Sequence, residues 1–99
     1  MRRRAHLDAN HEAIVEALIG RGARVLSLAA EGNGCPDLLI GWRGANYLLE
    51  VKREGYDKKA GKLRQKTREM QIMWALKWTG QYTIVTSPQE ALDFLEMQK

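Results

Sequence analysis

Apolar residues recur along the chain at two spacings, and the changes between them divide the sequence into helices and strands. Residues three and four apart share a helix face, whereas alternate residues share a strand face. The pattern predicts the order αβββαβα, an α/β fold with helices packed on a mixed sheet. We expect residues 1–99 to form one domain, because no repeat, low-complexity segment or linker interrupts the pattern. The predicted helices are about 9–20, 62–80 and 87–99, and the predicted strands are about 23–29, 37–42, 47–52 and 81–87.

The last helix has the most complete start signal in the chain. Ser87 is a suitable N-cap, Pro88 occupies the first helical position, and Glu90 completes a capping box. The first helix has a less defined start, because Asp8 and Asn10 are both suitable N-cap residues.

The second helix is apolar around most of its circumference. We expect Trp74 and Trp78 to pack into the core, because their spacing places them on one face. Ile72, Met73 and Leu76 point away from that face. This distribution indicates either deep burial or a second protein surface, and a symmetric dimer contact would fit. The expected core-facing stripe is Leu63, Thr67, Met70, Trp74 and Trp78.

The strands between residues 37 and 52 are predicted to pair as a β-hairpin joined by the segment Arg-Gly-Ala-Asn. Both strands carry charges that a buried strand does not normally tolerate. Alternation places Glu50 and Lys52 on one face, and Asp37 on the partner strand can come close to them. A divalent cation would compensate the two carboxylates, with the backbone carbonyl of Val51 and waters completing an oxygen site for Mg²⁺ or Mn²⁺. The structural alternative is a Glu50–Lys52 ion pair on an exposed edge strand.

The loop before the hairpin contains Gly32 and Gly34, which we expect to allow a tight bend that delivers Asp37. Cys35 is the single cysteine, so an internal disulfide is excluded and a reducing cytoplasm is expected. The segment beginning at His11 starts like a zinc-binding His-Glu-x-x-His motif, but Val15 stands where the second histidine would be.

The composition is that of a soluble globular protein, with 44% hydrophobic and 28% charged residues. No apolar run reaches the length of about 20 residues that a membrane helix requires. The formal net charge of +4 favours a polyanionic partner, and nucleic acid is the most frequent one. A basic cluster directly follows the hairpin, and its members are Arg53, Lys58, Lys59, Lys62, Arg64, Lys66 and Arg68.

The stretch from Pro36 to Lys52, "PDLLIGWRGANYLLEVK", resembles the P-D…E-x-K core of the PD-(D/E)XK nuclease superfamily. The predicted order matches the restriction-endonuclease-like αβββαβ core of that superfamily, followed here by a C-terminal helix. The chain is most similar to the virus-type replication-repair nuclease (VRR-Nuc) family in its stand-alone phage and bacterial form. The resemblance implies a Mg²⁺- or Mn²⁺-dependent endonuclease that acts as a homodimer on branched DNA such as four-way junctions.

The resemblance also assigns roles to individual residues. It implies that Asp37, Glu50 and the carbonyl of Val51 hold the metal, and that Lys52 orients the attacking water or stabilises charge on the phosphate. The family places a glutamine on the following helix, and Gln71 fits that place because it precedes a tryptophan by three residues.

Related enzymes use an acidic residue of the first helix as a further site residue. Glu12 is the usual residue type, whereas Asp8 and Asn10 match the start of the stand-alone relatives. We retain Glu12 as a candidate, and the choice among the three stays open. Phosphate contacts are expected from Arg53, Lys58, Lys59, Lys62, Arg64 and Lys66.

Two other functions share these residues. A restriction-type duplex endonuclease would use the same site but would need a base-reading element, for which 99 residues leave little room. A DNA-binding module with a purely structural site belongs to a different class. The intact set of Asp37, Glu50 and Lys52 favours an enzyme over that module.

Overall fold

The structure, a computed structural model, describes residues 10–53 and 65–98, with side chains in the second range described from residue 69 onward. Its elements follow the predicted order αβββαβα. They are α1 His11–Arg21, β1 Arg24–Ser27, β2 Leu38–Trp42, β3 Ala45–Val51, α2 Gln65–Lys77, β4 Tyr82–Val85 and α3 Pro88–Met97.

The strands form one mixed sheet in the order β1-β2-β3-β4. The first three strands are antiparallel, and β4 is parallel to β3. The chain therefore crosses over between β3 and β4, as parallel pairing requires. The predicted α/β fold class with a mixed sheet flanked by helices is confirmed. In this order β3 is a central strand, paired on both sides.

The hydrophobic core lies between one face of the sheet and the helices α1 and α3. Alternate residues of β2 and β3 point into it, as the period of two in a strand dictates. Helix α1 contributes Ile14 and Leu18, and α3 contributes Ala91 and Leu95, all fully or almost fully buried. The strand residues of this core are Leu38, Ile40, Trp42, Tyr47, Leu49, Val51 and Val85.

The hairpin between β2 and β3 turns through two residues. Arg43 and Gly44 both have positive φ, at 48° and 84°, which is the geometry of a type I′ turn. Ala45 and Asn46 already pair with β2, so the four-residue turn predicted from the sequence is too long. The tight turn fixes the register of the hairpin and hence the face on which each charged residue lies.

The predicted N-cap of the last helix is confirmed, but the Glu90 side chain bonds the residue before the N-cap rather than the N-cap amide of a standard capping box. The Ser87 hydroxyl accepts a hydrogen bond from the Glu90 amide at 3.1 Å, and the Glu90 carboxylate accepts one from the Thr86 amide at 2.7 Å. At the first helix, Asn10 is the N-cap but makes no side-chain capping bond. Its side chain is used elsewhere, as described below.

Helix α2 lies on the opposite face of the sheet from α1 and α3, beside Glu50 and Lys52, and none of its described side chains is buried. Trp78 is 43% exposed and follows the end of the helix at Lys77, so the prediction that it packs into the core is wrong. Trp74 stacks on Trp78 instead, with ring centroids 5.0 Å apart. Of the two alternatives that the apolar circumference of α2 left open, deep burial is excluded, because Ile72, Met73 and Leu76 are exposed. Within the described ranges, no helix has the length and apolar character needed to span a bilayer.

Candidate functional site

Two charged residues, Glu50 near the end of β3 and Lys52 directly after the strand, lie on the side that points away from the core. Glu50 and Lys52 alternate with Leu49 and Val51, and they are only 4% and 7% exposed. Because β3 is paired with β2 and β4, the alternative of an ion pair on an exposed edge strand is wrong. Burying two charges in the middle of a sheet is unfavourable unless each finds polar partners.

The Lys52 ammonium group lies between a carboxylate and an amide. Its Nζ donates to Gln71 Oε1 at 2.7 Å and lies 3.4 Å from Glu50 Oε2. Gln71 projects from α2, so this contact joins the helix to the central strand. The glutamine predicted from the family pattern therefore contacts the predicted lysine, and the structure brings these residues into one cluster.

Asp37 reaches the same end of β3 from the start of β2. The ladder pairs Leu38 with Leu49, and continuing that register by one residue places Asp37 opposite Glu50. The Asp37 Oδ2 accepts a hydrogen bond from the Val51 amide at 2.8 Å. Its backbone carbonyl accepts another from the Leu28 amide at 2.7 Å, so both the backbone and the side chain of Asp37 are fixed.

The oxygen atoms assembled here suit a hard divalent cation. Asp37 and Glu50 contribute carboxylates. The amide and the carbonyl of a strand residue point to the same neighbouring strand. The Val51 amide bonds Asp37, so the Val51 carbonyl points to the same side of β3. In the described part of the chain, no group of three or more His, Cys, Asp or Glu side chains could hold a metal ion. Further ligands would therefore be backbone oxygens or waters, as is usual for Mg²⁺.

A small cleft opens between the sheet and α2 beside this cluster. Its volume is about 170 Å³, which is less than the roughly 300 Å³ of a small-molecule pocket. The cleft has room for a phosphate group and waters but does not enclose a nucleotide. Its polar end is formed by Glu50, Lys52 and Gln71, and its apolar lining consists of Ile72, Ala75, Leu76, Tyr82 and Ile84.

Asn10 has a role that the sequence did not reveal. Its amide nitrogen donates to the backbone carbonyl of Lys52 at 2.9 Å and also to that of Thr86. These bonds tie the start of α1 to the ends of β3 and β4, and they fix the backbone that carries Lys52. The acceptors lie 42 and 76 residues away in the chain, so no local pattern could have indicated them.

The other predicted site residues are described only in part. Glu12 is exposed on the first turn of α1, and Arg53 is exposed directly after the site. Asp8 lies outside the described residues, and so do Lys58, Lys59, Lys62 and Arg64. Lys66 belongs to α2, but its side chain is not among those described. The roles of these residues stay predictions.

The thiol of Cys35 responds to the charge of the site. Burial raises the pKa of Cys35, and the negative charges of Glu31, Glu50 and Asp37 raise it further, in that order of importance. A raised pKa means that less of the reactive thiolate is present at a given pH. Part of the rise in the pKa of Cys35, after burial and Glu31, therefore comes from the carboxylates of Glu50 and Asp37.

One comparison with known proteins matches this fold. A solved structure described as a "VRR_NUC domain" superposes with a TM-score of 0.60 at 22% sequence identity, covering 90% of this chain and 92% of the other. No protein-family model matches the sequence, and no curated protein matches it. The chain thus has the fold of a VRR-Nuc domain, and the resemblance seen in the sequence is confirmed at the level of the fold.

The influence of the site on Cys35 gives a first prediction. Replacing Glu50 by glutamine removes a negative charge that raises the pKa of Cys35, so this pKa falls and more thiolate is present at pH 8. We expect iodoacetamide to alkylate Cys35 faster in Glu50→Gln than in the unmodified protein, as measured by mass spectrometry over time. Glu16→Gln, an exposed change on α1, is the matched control and should leave the rate unchanged. An unaltered rate in Glu50→Gln would contradict the assigned charge environment.

Proposed function

We propose that this chain is a DNA endonuclease that requires Mg²⁺ or Mn²⁺ and that residues 1–99 form one nuclease domain. The observation that carries the proposal is the Lys52 ammonium held between Glu50 and Gln71, beside Asp37. A buried lysine and two carboxylates at the end of paired strands have little structural value of their own, because apolar residues would pack there at lower cost. The VRR-Nuc fold adds support, because nuclease activity is what the sequence resemblance implies.

Each residue of the cluster has a distinct task in this proposal. Asp37, Glu50 and the Val51 carbonyl would hold the cation, which when bound would supply Lewis acidity and lower the pKa of a bound water. The Lys52 ammonium offsets negative charge that develops on the phosphate oxygens during attack. Gln71 accepts a hydrogen bond from that ammonium and so holds it in place.

The narrow cleft and the surrounding charge define how DNA would approach. The cleft admits a phosphate but leaves the nucleotides outside, so the backbone rather than a base enters the site. Arg53 lies exposed at the exit of β3, where its guanidinium can contact a neighbouring phosphate. We assign further phosphate contacts to Lys58, Lys59, Lys62, Arg64 and Lys66, in keeping with the net charge of +4.

The proposed substrate is branched DNA, with a four-way junction cut by a homodimer. Cutting both strands of a junction symmetrically requires two active sites related by a two-fold axis. The exposed face of α2 supports a contact between copies, because Ile72, Met73 and Leu76 are 43%, 50% and 74% exposed. Such a run of exposed apolar side chains is typical of a protein interface. We place the enzyme in the cytoplasm of a bacterial or phage-infected cell, where its DNA substrates occur.

The central test is metal-dependent cleavage by matched variants. We expect the protein to cut a four-way junction in Mg²⁺ or Mn²⁺ but not in EDTA, and Glu50→Gln to lower kcat by about 10²-fold or more. Junction binding in a gel-shift assay should persist, because the residues assigned to flanking phosphates do not include Glu50. Glu16→Gln serves again as the control with unchanged kcat.

Parallel assays on linear duplex, flap and single-stranded DNA separate the possible activities. Equal cutting of all forms would contradict junction specificity and favour a general endonuclease. Binding without cutting in any metal would contradict the enzyme and favour the DNA-binding module.

The proposed dimer gives a further prediction, with its own matched pair of variants. Met73 on α2 and Met97 on α3 are 50% and 72% exposed, so lysine at either site costs little in the isolated chain. We expect Met73→Lys to convert a dimer into a monomer in light scattering coupled to gel filtration, because the new charge would be buried between copies. Met97→Lys should stay dimeric. A monomeric unmodified protein, or equal masses for the two variants, would contradict the assigned interface.

A further inference from the structure

The loop between β1 and β2 packs its backbone directly against the backbone of α2. The Leu28 amide and the Asp37 carbonyl close the base of this loop. Near its tip, Gly32, Asn33 and Gly34 follow one another with positive φ, at 68°, 55° and 82°. This left-handed run bends the chain sharply and carries Gly34 to the helix.

Gly34 has no space for a side chain. A Cβ atom there would lie 2.7 Å from the Met70 carbonyl carbon, closer still to the Met70 oxygen, and 3.1 Å from the Gln71 amide nitrogen. These are backbone atoms inside a helix, which cannot rotate away as a side-chain tip can. Gly32 and Gly44 also have positive φ, at 68° and 84°, but a Cβ on either would meet nothing within 4 Å. Position 34 therefore requires glycine for two reasons, the positive φ and the close contact with the backbone of α2.

The contact falls at the point of α2 that faces the site. Gln71 follows Met70 directly, and its Oε1 accepts the hydrogen bond from Lys52 Nζ at 2.7 Å. None of the described α2 side chains belongs to the buried core, so the core does little to fix the position of this helix. The same loop delivers Asp37 three residues after Gly34, so one segment contacts the backbone beside Gln71 and also carries Asp37.

We propose that Gly34 is a positioning residue that seats Gln71 against Lys52, and that its missing side chain sets the distance between α2 and the central strand. This inference rests on the proposed nuclease function for its kinetic consequences. Displacing α2 outward by the width of a methyl group would lengthen the Lys52–Gln71 hydrogen bond. The Lys52 ammonium would then lose the partner that directs it toward the phosphate.

The kinetic test compares two Gly→Ala variants on junction DNA. We expect Gly34→Ala to lower kcat by about 10- to 100-fold with KM for DNA changed less than about 3-fold, as misplacement of a charge-stabilising group predicts. Gly32→Ala is the matched control, because Gly32 lies in the same loop with a similar φ but an added Cβ would meet nothing within 4 Å. This control should keep kcat within about 3-fold. Equal losses in the two variants would overturn the proposal.

A double-mutant cycle tests whether Gly34 acts through Gln71. In the Gln71→Met background, the hydrogen bond to Lys52 is already absent, so adding Gly34→Ala should lower kcat by less than about 3-fold. Full additivity of the two losses would overturn the proposal, because it would mean that Gly34 acts by another route. If Gly34→Ala does not fold, a variant with one glycine inserted after Gly32 takes its place in the cycle. The insertion loosens the loop without adding a side chain. The same non-additivity with Gln71→Met is expected.

A measurement that needs no activity separates this inference from the proposed function. In NMR spectra of protein labelled at lysine side chains, Gly34→Ala should shift the Lys52 side-chain signals in the same direction as Gln71→Met. Gly32→Ala should leave them in place. These shifts are expected even if no DNA is cut. The absence of cutting would overturn the proposed function alone. Unshifted Lys52 signals in Gly34→Ala would overturn the positioning role alone.

Discussion

The burial of Lys52 and Glu50 on a central strand is the constraint on which the rest of the site depends. Removing two charges from water costs several kcal/mol for each, and their mutual attraction offsets this only with good geometry and further hydrogen bonds. The structure supplies those conditions with Gln71 at 2.7 Å from the ammonium and Glu50 at 3.4 Å. The sheet tolerates these charges because their neighbours are fixed, and an ammonium held in this way needs little reorganisation when a phosphate arrives.

Three separate parts of the chain hold this arrangement in place. The type I′ turn sets the hairpin register, so that Asp37 lies opposite Glu50. Asn10 bonds the carbonyl of Lys52 from the start of α1, and Gly34 lets α2 approach closely enough for Gln71 to reach across. The core itself lies on the other face of the sheet, under α1 and α3. Stability and the proposed chemistry are thus separated onto opposite faces of the same four strands.

The sequence predicted the parts that depend on local pattern. Strand alternation placed Glu50 and Lys52 on one face, and the hairpin brought Asp37 to the same end. The contacts of Asn10 and Gly34 join residues distant in the chain and depend on tertiary packing, so composition and spacing could not indicate them. The error over Trp78 has a related cause. Apolar spacing identifies a surface that can be buried, but it does not show whether the same chain covers that surface.

The most direct test of the central claim is anomalous diffraction from crystals grown with Mn²⁺. The site, as described, predicts a strong peak within bonding distance of Asp37, Glu50 and the Val51 carbonyl, with the Lys52 ammonium still bound to Gln71. The same crystals of Asp37→Asn should show a weaker peak or none at that position. A well-ordered site with no peak there, in crystals that contain Mn²⁺ elsewhere, would contradict the claim that these buried charges exist to hold a divalent cation.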